Sequence, residues 1–122
     1  MPVTFAREQG DTFRLEISGV LRKAELDRAQ DALVTTMRGT GVHAARVLVV
    51  LERFEGWETE AAWNDLTFYV EHGDAIARIA IVGDERWRGH ALMFAAADLR
   101  KGPVEFFPPD ALAAARAWLA EP

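Results

Sequence analysis

Asp65 and His72 are the pair in this chain whose types suit acid–base chemistry. They fall in a stretch with helical patterning, near one stripe of the helix, with Tyr69 between them. At a helical rise of about 1.5 Å per residue their Cα atoms are roughly 10 Å apart, too far for a direct hydrogen bond. A bound ligand could bridge them, with His72 as base and Asp65 as an orienting carboxylate. Thr59 and Thr67 are the nearby hydroxyls that could act as a nucleophile. The competing reading places His72 near a helix C-terminus, where an imidazolium suits the dipole. That reading is preferred, and no catalytic residue is expected.

Other chemistries have less support. There is no cysteine, which excludes a thiol nucleophile and zinc–thiolate sites. His43, His72 and His90 are far apart in sequence, without the paired spacing of a closed metal site. Neither strand-to-helix turn carries a glycine-rich phosphate loop; Gly56 and Gly83 each stand alone. No metal and no cofactor are expected.

A set of large rings remains: Phe54, Trp57, Trp63, Phe68 and Trp87. Trp57 and Trp87 each follow a strand-like apolar run, Val47 to Leu51 and Ala77 to Val82. Ligands of open α/β sheets usually sit outside the carboxyl ends of such strands. Rings there need a cover, which is the protein's own core, a partner subunit or an apolar ligand. Trp63 neighbours the Ala62, Leu66, Val70 stripe and reads as core. Trp57 is the better site candidate, because Gly56 is expected to leave its loop free to move.

The elements that must position these residues follow from periodicity. Val3 to Glu8 and Thr12 to Ser18 read as a hairpin, with Phe13, Leu15 and Ile17 on one face and Gly19 as the stop. Leu26, Ala29, Leu33 and Met37 recur at helical spacing from Lys23 to Met37, ended by Gly39 and Gly41. The strand Arg46 to Leu51 lacks alternation, so both its faces should be covered. A helix from about Glu60 to His72 follows, with Thr59 as its cap, and then a strand from Arg78 to Val82. A helix from about Glu85 to Leu99, a short strand from Val104 to Phe107 and a helix from Ala111 to Leu119 capped by Asp110 complete the chain. The fold class expected is α/β, a mixed, mostly parallel sheet of about five strands in the order ββαβαβαβα, flanked by helices. Residues 1–122 are expected to form a single domain.

The net charge of −5 supplies no excess of cations, which argues against general nucleic-acid binding. Locally, Arg86, Arg88, Arg100 and Lys101 outnumber Glu85 and Asp98. That segment could meet an anionic partner or lipid surface, but a solvated helix face is the preferred reading. The N-terminus lacks the apolar run of a signal peptide, and a cytoplasmic location is expected.

With these residues in place, the sequence resembles the SpoIIAA-like family, which shares the fold of STAS domains. The resemblance rests on Phe54-Glu55-Gly56-Trp57, on Ala62-Trp63 with Asp65-Leu66 and Phe68, and on His72. It continues through Arg78 to Asp84 with Trp87 and closes on Ala117-Trp118-Leu119. It implies a mixed sheet of four to five strands, a bacterial and often self-associating protein, and no established enzyme activity. It also implies a role in binding apolar ligands or associating with membranes, through open and closed arrangements like those of lipid-carrier domains. One departure stands out: anti-sigma factor antagonists carry a phosphorylatable serine, usually after aspartate, where the helix following the central strand begins. Here that region, Glu52 to Thr59, has no Asp-Ser pair, and Thr59 is its only hydroxyl.

The leading expectation is a non-enzymatic module binding an apolar or amphipathic small molecule, a lipid among them, at Phe54, Trp57, Asp65, Phe68, His72 and Trp87. The rings would supply contact area, while Asp65 and His72 orient a polar head group. The 52–58 loop would close over the ligand, with Gly56 as hinge. One alternative is a protein–protein module, a homodimer whose interface is the aromatic end. Another is peripheral membrane attachment through the 85–101 helix, with Leu92, Phe94 and Leu99 entering the lipid.

Overall fold

Strand faces in this chain are set by which residues alternate and which do not. Phe13, Ile17 and Leu21 of the second strand are buried, whereas Thr12, Arg14 and Glu16 are only partly covered. The central strand buries Val47 and Leu51 toward one core and Leu48 toward another, so it is covered on both faces as its unbroken apolar run requires.

The computed structural model describes residues 3–8, 10–58, 75–95 and 102–121. Their elements are β1 (Val3–Arg7), β2 (Thr12–Leu21), α1 (Lys23–Thr40), β3 (Ala45–Trp57) and β4 (Ile76–Val82). A 3-10 turn (Glu85–Trp87), α2 (Arg88–Phe94), β5 (Val104–Phe107) and α3 (Leu112–Leu119) follow. The sheet order is β1-β2-β3-β4-β5; β1 pairs antiparallel with β2, and every other neighbouring pair is parallel. This is the expected mixed, mostly parallel α/β sheet. The helix expected over 60–72, with Asp65, Phe68 and His72, lies outside the described residues.

One face packs Phe13, Ile17, Leu21, Val47, Leu51, Ile79, Ile81 and Phe106 against Leu33 and Met37 of α1 and Ala91 of α2. The other packs Leu48, Ala80 and Val82 against Ala115 and Leu119 of α3. Arg46 and Arg78 are cross-strand partners, an arrangement that like charges disfavour. The end of α3 relieves it. Arg78 donates to the Trp118 carbonyl at 2.9 Å, and Arg46 donates to the Leu119 and Glu121 carbonyls, each at 2.5 Å. These carbonyls lie at the end of α3 or, for Glu121, just beyond it; the Trp118 carbonyl also accepts from the Glu121 N–H at 3.2 Å, and the negative end of the helix dipole favours cations there.

Several boundaries differ from the sequence reading. Gly19 does not end β2; it lies inside the strand at φ 65°, where the β2–β3 register shifts. Gly39 belongs to α1, and Gly41 alone ends that helix, at φ 75° with its N–H on the Met37 carbonyl. The helix expected from Glu85 begins as the 3-10 turn, because Asp84 accepts from the Arg86 N–H at 3.0 Å and tightens it. Asp110 does not cap α3: Ala111 holds the N-cap position, with no side-chain hydrogen bond.

The largest difference concerns the supposed turn after Leu51. β3 runs on to Trp57, with Val20 opposite Gly56 and Leu21 opposite Trp57. Residues 52–57 of the expected 52–58 loop are therefore sheet, and Gly56 is a paired strand residue, not a hinge in a free loop. Its φ of 129° explains why glycine stands there.

Candidate functional site

The carboxyl end of β3 gains residues relative to β2. Ile17 faces Leu51 and Gly19 faces Phe54, so Ser18 alone opposes Glu52 and Arg53. Glu55 is a second extra residue, between the Gly19–Phe54 and Val20–Gly56 pairs. Arg53 takes up the first shift at φ 53°. Such insertions bend a strand and re-aim its side chains. By plain alternation Phe54 would share the face of Leu48; instead it is buried in the same core as Leu51.

There Phe54 joins two of the predicted rings. Trp57 meets it edge-on at a centroid distance of 4.8 Å and an interplanar angle of 72°, and Trp87 does so at 4.9 Å and 78°. Both tryptophans are half-buried and pack against the core. The Arg86 guanidinium lies 4.9 Å from the Trp87 ring centroid, a cation–π contact, and His90 approaches the ring's other neighbourhood at 6.2 Å. The structure thus brings Phe54, Trp57 and Trp87 together, while Asp65, Phe68 and His72 lie outside the described residues.

Behind Trp57 is a cavity of about 100 Å³ between the sheet and α1. Strand residues Phe13, Ile17, Val49 and Ile81 form its floor, α1 contributes Leu26, Ala29, Gln30 and Leu33, and Ala91 and Ala95 close one side. The α1 and β2 members were missed as site residues. Their sequence signal was the helical stripe itself, in which Ala29 leaves a gap between the larger Leu26 and Leu33 and Gln30 sets an amide beside it.

Glu58 ties Trp57 to the helical wall. Its N–H donates to the Leu21 carbonyl at 2.8 Å, and its Oε1 accepts from the Lys23 N–H at 3.2 Å. The N-cap residue Arg22 supplies no side-chain acceptor, so Glu58 serves a part-buried donor of the first turn of α1 from outside the helix. A carboxylate there also suits the helix dipole.

Charge is arranged at the periphery. Arg88 forms a two-pronged bond to Glu85 (2.6 and 3.0 Å) and lies 5.0 Å from the Phe106 ring centroid. The Arg88 hydrogen bond holds the Glu85 carboxyl below its usual range. Leu92, expected on a lipid-facing surface, packs partly against the core, while Met93 is exposed. Among the described residues no helix is long and apolar enough to cross a membrane, and no group of three or more histidine or carboxylate residues could hold a metal.

The SpoIIAA-like family pattern matches residues 12–120, from the start of β2 to the end of α3. The chain belongs to the SpoIIAA-like family. Among solved structures it is similar to an uncharacterized protein of the DUF3478 family with a SpoIIAA-like fold from Shewanella loihica PV-4. The two share 24% identity with a TM-score of 0.71, over 97% of this chain and 92% of the other. That likeness concerns the fold. No curated protein matches the sequence. As a SpoIIAA-like chain the protein is a STAS-like module, in which the aromatic group at the end of β3 and the cavity behind it are the candidate site.

Proposed function

We propose that this SpoIIAA-like protein is a non-enzymatic module that binds an apolar or amphipathic small molecule in the cavity behind Trp57. The observation that carries the reading is the cavity itself, whose described lining is apolar except for Gln30, Arg14 and the indole N–H of Trp57. Removing an apolar guest from water is favourable in proportion to the area it buries, and a dry apolar cavity offers it dispersion contacts that the empty state lacks. Trp57 supplies a broad ring on one wall; Phe54 meets that ring edge-on and is itself met by Trp87. Asp65 and His72 remain candidates for orienting a polar head group.

Native mass spectrometry of the purified full chain, followed by organic extraction, tests the proposal. A discrete apolar mass bound to the protein and absent from the Trp57→Ala variant is the expected result. If the wild-type chain carries nothing and takes up no apolar compound offered to it, the proposal fails.

A further inference from the structure

The dimensions of the cavity say more about its guest than its polarity does. We infer that it accepts a compact, neutral, ring-sized molecule with one hydrogen-bonding group, and not a long acyl chain; this rests on the apolar-ligand reading above.

The volume is about 100 Å³. A cavity of about 150 Å³ lined by Leu, Ile and Phe stays dry and binds benzene, and a water molecule in the liquid occupies about 30 Å³. The space here therefore suits a single small ring after slight adjustment of its walls. The space is half-open, so an extended acyl chain would either leave most of its length outside or push those walls apart.

The walls are built to resist that. Three adjacent parallel strands supply the floor, and β-branched residues such as Ile17, Val49 and Ile81 have stiff side chains there. The opposite wall, α1, is joined to the end of β3 by the hydrogen bond from the Lys23 N–H to the Glu58 carboxylate, while the Glu58 N–H holds that end to Leu21 of β2. Trp57 sits one residue before that junction. Moving α1 away at this end requires breaking the Lys23–Glu58 bond.

Gln30 supplies the one side-chain amide of the described lining, beside the indole N–H of Trp57. Its amide can donate to or accept from a hydroxyl or carbonyl of the guest. Arg14, the other polar lining residue, has its guanidinium on the carboxylates of Glu16 and Glu8. A charged guest would lose its hydration against the remaining hydrocarbon wall, which is costly.

The test is ligand-observed NMR of the full-length wild-type chain, Ala29→Leu and Gln30→Leu, with phenol, benzene and hexadecanoate as probes. Ala29 is buried in the α1 wall, so leucine there fills the space. Phenol is expected to give a saturable signal with wild type that Ala29→Leu abolishes, while the folded state persists because the added atoms occupy empty volume. Gln30→Leu is expected to keep benzene binding and remove the preference for phenol. Should Ala29→Leu fail to fold, Gln30→Leu decides alone, and a retained preference for phenol overturns the inference. Binding of hexadecanoate without phenol overturns the size assignment but leaves the apolar-ligand reading standing. Binding of none of the three overturns both. Equal phenol binding by wild type and both variants places the guest elsewhere and also overturns the inference.

Discussion

Arg116 of α3 grips the Glu8 carboxylate with both terminal guanidinium nitrogens, at 2.5 and 3.0 Å, and so ties the last helix to the residue after β1. This fork-on-fork geometry is the strong form of a charge-assisted hydrogen bond. Arg14 adds a further contact to the same carboxylate at 3.6 Å.

The hydrogen bond from Arg116 holds the Glu8 carboxyl below its usual range; burial opposes it, and the nearby charges of Arg116 and Arg14 add smaller lowering effects. The sign of the pH dependence follows from that direction. A carboxyl depressed in the folded state stabilises it fully above the ordinary glutamate range, and the contribution is lost as pH falls below that range through the folded value. The pair is partly solvent-exposed, so the effect is modest, about 0.5–1 kcal/mol. Urea melts of wild type and Glu8→Gln should differ at neutral pH and converge in acid. A gap that persists in acid would remove the ion pair as its cause.

Arg46→Met should cost about 1–3 kcal/mol, because the carbonyls of Leu119 and Glu121 lose their donor at the half-covered end of α3. Arg78→Met should cost a similar amount and should also change Trp118 fluorescence, since the Arg78 guanidinium lies 4.9 Å from that ring centroid. A Trp118-only background, with the other tryptophans replaced by phenylalanine, isolates the signal. Unchanged emission on replacing Arg78 would refute the contact.

Gly83 is a packing position. A Cβ there would lie 2.9 Å from the Leu51 Cβ and 3.0 Å from its Cδ1. Gly83→Ala should therefore destabilise by about 1–3 kcal/mol through overpacking. Leu51→Ala removes the Cγ and Cδ1 contacts but keeps the nearest atom, the Cβ, so the double variant should cost somewhat less than the two single changes together. Strict additivity in chemical denaturation would argue against the clash.

The amides of Gly56, Trp57 and Glu58 should exchange slowly with solvent if the end of β3 is sheet. The Glu58 N–H is bonded to the Leu21 carbonyl, and Gly56 and Trp57 have strand partners. Hydrogen exchange followed by NMR should show protection approaching that of Val47–Leu51. Fast exchange confined to 52–58 would restore the mobile-loop picture.

Much of the architecture could be read from residue patterns. Val104–Phe107 was placed with its observed bounds because prolines at 103 and 108 bracket a short apolar run. The central strand was recognised by its lack of alternation, but its far half was not. Charged residues and a glycine in Glu52-Arg53-Phe54-Glu55-Gly56 carry the composition of a turn, and only the partner strand, with its two shifts of register, makes them sheet. Asp110 has the chemistry of a helix cap but stands one residue too early, with Ala111 at the cap position. The rings at 54, 57 and 87 were legible because they are large and come after apolar runs, although Phe54 and Trp57 prove to lie within β3. The space behind them was not, because an unfilled volume arises from three elements meeting and Ala29 looks like any small residue on a helix.

The clasp of Arg46 and Arg78 on α3 also bears on how the chain is made. Every described strand is synthesised before residues 112–119, so Leu48, Ala80 and Val82 lack their cover from α3 until that helix leaves the ribosome. A nascent sheet waiting for that helix presents the sort of apolar surface that chaperones recognise and that aggregates when left alone. Translation pausing before residues 112–119 would thus lengthen a vulnerable interval of this protein's life.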